Sequence, residues 1–155
     1  MKLLLKTTLI LVSFASTLLF ASTPIQPTDG TWTPHITSHD IKGCPSMLNA
    51  LIKKQSMPNK SKKITFEKPF TPASLFPDST EVQWKNIAPN QWEAVMIKAE
   101  GTMNLSIKWK LDVRTPKEID IDSKISLKIP SELAQMFGGS ADCNVHTLGT
   151  FNLLR

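Results

Sequence analysis

A chain of 155 residues with only two cysteines suits one domain that buries its own core without a framework of crosslinks, and it excludes a second domain of comparable size. The net charge of +5 overstates the basicity of the folded part: once Lys2 and Lys6 go with a leader, sixteen basic residues face thirteen acidic ones. After that leader no apolar run is long enough to cross a bilayer as a helix, which excludes an integral helical membrane protein.

In chain order, Lys2 and Lys6 precede an apolar run from Leu9 to Phe20 that Ser13, Ser16 and Thr17 interrupt and Ser22-Thr23-Pro24 ends. A charged start, a short apolar middle and a small-residue end make a secretory signal, with Ala21 the last residue removed. A spanning helix wants about 20 apolar residues, more than this run holds. No cysteine follows the cut, which argues against a lipid anchor. Residues 1–21 therefore read as a signal peptide. Residues 22–30, with Pro24, Pro27 and the turn pair Asp29-Gly30, read as a flexible mature N-terminus, and 31–155 as a single β-rich domain.

Residues 31–37 predict a short strand with Trp32 and Ile36 on one face, and Pro34, which has no N–H to give a ladder, argues for an edge position. Pro45-Ser46-Met47-Leu48-Asn49-Ala50-Leu51-Ile52-Lys53-Lys54 carries apolar residues at helical spacing, with lysines in the last turn where they complement the helix dipole. This predicts a first short helix that opens at Cys44. After a proline- and lysine-rich loop, 63–68 read as a strand with Ile64 and Phe66 on one face. Residues 69–80, with Pro69, Pro72 and Pro77, read as a loop holding at most one helical turn. Val82 and Trp84 alternate with Glu81, Gln83 and Lys85 in another strand; 86–90 turn the chain into a strand over 91–98, and Glu100-Gly101 turns it again.

The next two segments carry the fold class. Leu105, Ile107, Trp109, Leu111 and Val113 share one parity against Ser106, Lys108, Lys110, Asp112 and Arg114. Ile119, Ile121, Ile125, Leu127 and Ile129 likewise oppose Glu118, Asp120, Asp122, Lys124 and Lys128. Alternation this long means an antiparallel sheet with one dry and one wet face. Both apolar sets fall on odd numbers, so a two-residue Thr115-Pro116 turn would set Val113 against Glu118; the hairpin needs an odd-length loop or a bulge. One register of this parity would place Lys110 opposite Asp120 and Lys108 opposite Asp122, a favourable charge pattern. A second helix is predicted over 130–137, with Pro130 and Glu132 in its first turn and Gly138-Gly139 as its stop. A last strand spans 142–154. The expected fold is mainly β, in the α+β class: a curved antiparallel sheet or half-barrel of about six to seven strands, with two short helices and one disulfide.

In an oxidising compartment Cys44 and Cys143 most simply form one bridge, which contributes roughly 4 to 5 kcal/mol by chain entropy for so long a loop. A reactive Cys44 partnered with His39 or His146 is the alternative.

Catalytic constellations are hard to assemble. His35 and His39, four apart, share a side of a regular strand or helix, but two imidazoles are half of a tetrahedral zinc set. No Gly-x-Ser-x-Gly elbow supports a serine triad. Most of the carboxylates sit on wet strand faces, and the glycine pair follows a helix rather than opening one around a phosphate. Lys53, Lys54, Lys60, Lys62, Lys63 and Lys68 stand against Glu67 alone between 53 and 68. That cluster fits an acidic partner or an anionic surface, or is simply solvated; with Phe66 its one aromatic, nucleic acid is not expected. Asn59-Lys60-Ser61 and Asn104-Leu105-Ser106 match the N-glycosylation pattern, which matters only in eukaryotic secretion. Trp32, Trp84, Trp92 and Trp109, with Met47, Met57, Met96, Met103 and Met136, make a large, soft apolar inventory that serves as core or lines a pocket.

Gly30-Thr31-Trp32, then Gly43-Cys44-Pro45, then a late Gly-Gly-x-x-x-Cys ending at Cys143 resemble small bacterial periplasmic proteins of unknown function with a lipocalin-like (calycin-type) sheet. The resemblance implies a periplasmic location and supplies no catalytic residues. The expected role is non-enzymatic binding of an apolar or amphipathic small molecule by a pocket of Trp84, Trp92, Met96 and Trp109, without cofactor or metal. The alternative is a protein-interaction factor, with an inhibitor, immunity or envelope-assembly role, that uses Lys53, Lys54, Lys60, Lys62 and Lys63.

Overall fold

Alternating side chains dictate strands, and strands dominate the molecule. The computed structural model describes residues 23–45, 60–76, 82–136 and 138–154. Among the described residues there are seven strands, β1 Gly30–Lys42, β2 Lys62–Ile64, β3 Trp84–Ala88, β4 Gln91–Glu100, β5 Met103–Thr115, β6 Glu118–Lys128 and β7 Asp142–Leu153. Every pair is antiparallel and they form one open sheet in the order β2-β1-β7-β6-β5-β4-β3. From β3 to β7 the chain meanders; β1 then adds beside β7, so the first long strand pairs with the last.

Among the described residues there is one α-helix, α1 Ser131–Met136, and a 3-10 turn at Pro72–Leu75. The second predicted helix is thus present, whereas the first, over 45–54, lies almost wholly outside the described residues. α1 ends as its glycines demand. Gly138 takes φ 66°, its N–H meets the Gln135 carbonyl at 3.2 Å, and the Gly139 N–H meets the Ala134 carbonyl at 2.9 Å. This paired closure satisfies carbonyls that the last turn leaves free.

The hairpin between β5 and β6 shows how apolar pairing sets a register. Val113 faces Ile119, Leu111 faces Ile121 and Ile107 faces Ile125, and the parity mismatch is absorbed by an irregularity between Val113 and Thr115. The bulge was expected; the charge pairing was not. Lys110 faces Asp122 rather than Asp120, and Lys108 faces Lys124 rather than Asp122. Both registers keep the odd-numbered side chains on the dry face; the observed one gives Val113 the apolar partner Ile119 in place of Lys117, which outweighs the smaller gain of an exposed ion pair.

The dry face is filled by the chain itself. Between β2 and β3 the segment 65–76 crosses it. Trp32 meets Phe66 edge-on with centroids 5.4 Å apart, Phe66 meets Phe70 at 5.4 Å, and Phe70 meets Trp92 at 6.0 Å. With Ile64, Leu75, Leu111, Val113, Ile119, Ile121 and Phe151 these residues form the main core. The segment before β1, expected to be loose, is instead fastened to this core. Pro27 is buried, the Thr28 N–H bonds the Pro116 carbonyl at 2.8 Å, and the Trp32 indole N–H bonds the Thr28 carbonyl at 2.9 Å. Apolar Ile25 and Pro27 have a face to bury, and composition alone concealed it.

At the opposite end of the sheet Cys44 and Cys143 are bridged, 99 residues apart, with Cα atoms 4.3 Å apart. Around the bridge the two glycine motifs interlock. A Cβ on Gly139 would lie 2.6 Å from the Pro45 nitrogen, and one on Gly43, at φ 70°, would strike the Asp142 carbonyl oxygen. The Ser140 N–H bonds the Gly43 carbonyl at 2.9 Å. Val145, Ile41, Ile125 and Leu127 pack round the disulfide as a second, smaller core.

Candidate functional site

A two-residue turn between β3 and β4 builds one side of an open apolar groove. Asn90 holds φ 63°, a left-handed conformation that asparagine tolerates better than most residues. Its backbone carbonyl accepts from the Val113 N–H at 2.9 Å, and its side-chain oxygen accepts from the Ile25 N–H at 2.6 Å. One residue thus joins the β3–β4 turn to β5 and to the segment ahead of β1. On the far side the Gln26 side-chain amide donates to the Glu67 carbonyl at 3.1 Å, tying the same segment to the crossing loop.

Between these walls lies a cavity of about 510 Å³ with Ile25, Pro69, Phe70, Ile87, Pro89 and Trp92 as its apolar lining and Gln26, Thr71, Asn86 and Asn90 as polar members. Ile87 is 44% exposed and Trp92 is half-buried, with one edge against Phe70. A concavity of this size with a few convergent polar groups matches the usual make-up of small-molecule sites.

The four residues expected to line a pocket divide. Trp84 and Trp109 face each other across Ala94 with centroids 6.3 Å apart, and Phe76 lies over both, at 5.4 Å and 6.3 Å. Met96 sits on the same face, opposite Ile107. Trp92 alone of the four borders the groove. Pro69, Ile87, Pro89 and Asn90 were legible only as loop and turn; that they meet Ile25 is a tertiary fact without a local signal.

Crossing the middle of the dry face is a polar rung. His39 faces Thr147, which faces Ser123, and His39 Nδ1 lies 2.8 Å from Thr147 Oγ1. Ser123 and Thr147 are buried, and the buried Nε2 of His39 has no hydrogen-bond partner among the described residues. His35 is not beside it. A bulge between Ile36 and Ser38 reverses the parity of β1, so His35 faces Thr150 on the wet side. The same-side pairing expected from their spacing fails for this reason, and the described residues hold no group of three His, Cys, Asp or Glu able to bind a metal.

The wet face is charged and uncovered by any described element. Arg114 bonds Asp120 at 2.6 Å and Asp112 at 3.3 Å, and so holds two carboxylates that face each other directly. The Asp120 hydrogen bond, then the charge of Asp112, raises the Arg114 pKa above its ordinary value. Lys42 is raised likewise by its hydrogen bond to Asp40 and then by that residue's charge, at 2.7 Å. Lys108 reaches Glu93 at 3.1 Å and His146 Nε2 reaches Asp122 at 2.8 Å.

Of the expected interaction lysines, Lys53 and Lys54 lie outside the described residues, as does the glycosylation candidate Asn59. Lys60, Lys62 and Lys63 are exposed, the last two on the short edge strand β2. Lysines there hinder another strand from adding to the sheet. Asn104 is exposed at the start of β5. Among the described residues no helix is long and apolar enough to cross a membrane. No protein-family model, curated protein or solved structure matches the chain.

Proposed function

We propose that this is an exported, disulfide-bonded protein that binds an apolar or amphipathic small molecule in the groove beside Trp92. The single observation that carries the reading is the 510 Å³ cavity, whose walls are mainly proline, isoleucine and aromatic side chains. Its polar rim of Gln26, Thr71, Asn86 and Asn90 suits one hydrogen-bonding headgroup on an otherwise apolar ligand. The Thr71 hydroxyl on the rim donates to the Glu67 carboxylate at 2.8 Å, and the role proposed is retention or delivery of the ligand rather than turnover. The signal-like leader supports a role in the periplasm or outside the cell, as the resemblance of the glycine and cysteine motifs to lipocalin-like periplasmic proteins implies.

Titration with a neutral medium-chain alcohol tests this, with intrinsic tryptophan emission as readout. A saturable change is expected in the parent protein. Ile87→Asp puts a charge on a side chain already partly in water and should weaken binding by about tenfold, as losing one buried apolar contact does. No saturable change, or equal affinity in Ile87→Asp, would contradict the proposal.

A further inference from the structure

On the wet face one rung sets two lysines against each other. Lys108 on β5 faces Lys124 on β6, which faces His146 on β7, which faces Asp40 on β1. Like charges directly opposed on adjacent strands are destabilising, and only the Lys108 side of this pair is relieved, by Glu93 at 3.1 Å. Glu93 is engaged by Lys108, Asp122 by His146 and Asp40 by Lys42. Lys124 has no ion pair among the described residues.

The surface is not flat at this point. A depression of about 340 Å³ is lined by Lys42, Lys108, Lys124, Ser106, Ser126 and Asn144, with Asp40 and His146 at its side. A second, of about 300 Å³, shares Lys108 and Lys124 and adds Lys110 together with the carboxylates Glu93 and Asp122, which Lys108 and His146 engage. In the next rung Ser106 faces Ser126, which faces Asn144, which faces Lys42. Ammonium groups therefore stand beside a row of neutral hydroxyl and amide donors that have no side-chain partner within the described residues. Charge-assisted hydrogen bonds from such a set are the strong kind, and an oxyanion is the ligand that accepts several at once.

We infer that the Lys108–Lys124 rung, with Lys42, Ser106, Ser126 and Asn144, binds a small soluble phosphate- or sulfate-type oxyanion. The anion neutralises the Lys124 ammonium, which Lys108 opposes, and the uncharged donors orient it. The site lies on the face of the sheet opposite the core and is independent of the Trp92 groove.

The test is titration of the isotopically labelled protein with inorganic phosphate at constant ionic strength, followed by amide chemical shifts. Saturable shifts confined to Ser106, Ser126, Asn144 and their neighbours are expected, with none when chloride replaces phosphate. Lys124→Gln, an exposed position, should weaken binding by about tenfold, the scale of one lost charge-assisted contact, whereas Lys63→Gln on the far edge should leave it unchanged. Shifts that grow without saturation, or that persist in Lys124→Gln, would overturn the site. So would binding to vesicles of anionic lipid without binding free phosphate, because that outcome requires a diffuse charged surface rather than a pocket.

Discussion

Gly139 packs against a neighbour that has no room to move. A Cβ there would meet the nitrogen and Cα of Pro45 at 2.6 Å and 2.8 Å, and backbone atoms do not swing aside as the tip of a side chain does. Gly139→Ala is expected to lower stability by about 1 to 3 kcal/mol, the usual cost of overpacking. A lower urea midpoint at unchanged slope would show it; an unchanged midpoint would mean the two glycine motifs do not touch. Thr147→Val removes the hydroxyl beside His39 Nδ1 and leaves the imidazole unpartnered at both nitrogens. The expected loss is about 1 to 3 kcal/mol, the penalty for a buried polar group left without a partner, again read from urea unfolding. The glycine motifs were visible beside the cysteines in the sequence, though not what each presses against. His39 was misplaced because spacing of four presumes a regular strand, and the bulge before Ser38 breaks that presumption.

Strands and their faces were legible wherever alternation was long. β5, β6 and β7 were expected within a residue or two of their observed limits. β1 was foreseen only to residue 37, since a proline and a polar run hide its second half, which pairs with β7 all the way to Lys42. Pro34 suggested an edge strand, but β1 lies between β2 and β7; the proline is tolerated because the β2 pairing ends at Trp32, two residues before it. Exposed charges favour a register of β5 on β6 two residues away from the observed one; parity alone leaves both open, and the apolar rung at the hairpin end decides. One consequence is measurable: with no phosphate present, Lys124→Gln should raise stability by a few tenths to about 1 kcal/mol by removing the opposed charge. The bridge between Cys44 and Cys143 closes 99 residues, and replacing both by alanine should lower stability by about 4 to 5 kcal/mol on the chain-entropy model. Unfolding of the oxidised and doubly substituted proteins in urea checks it.

For the whole molecule, the open sheet needs something to cover its dry face, and the chain supplies its own cover from 65 to 76. That choice moves the candidate ligand site away from the middle of the sheet, where Trp84 and Trp109 already face Phe76, to the end where the crossing loop, the segment ahead of β1 and the β3–β4 turn converge. None of those three pieces carries a periodic pattern, so the groove was not legible, although Trp92 was singled out for its size and character. Pairing the first long strand with the last also delays folding, because the loop must close before the contacts that reward it form. Refolding in milliseconds to seconds, rather than microseconds, is expected from such non-local topology and is measurable by stopped-flow tryptophan emission.

Native mass spectrometry of the protein purified from its own host tests the central claim most directly. The account predicts a small-molecule adduct on the parent protein that is lost in Ile87→Asp and kept in Lys124→Gln. A ligand-free mass for the parent, or an adduct that survives Ile87→Asp, would contradict the assignment of the Trp92 groove.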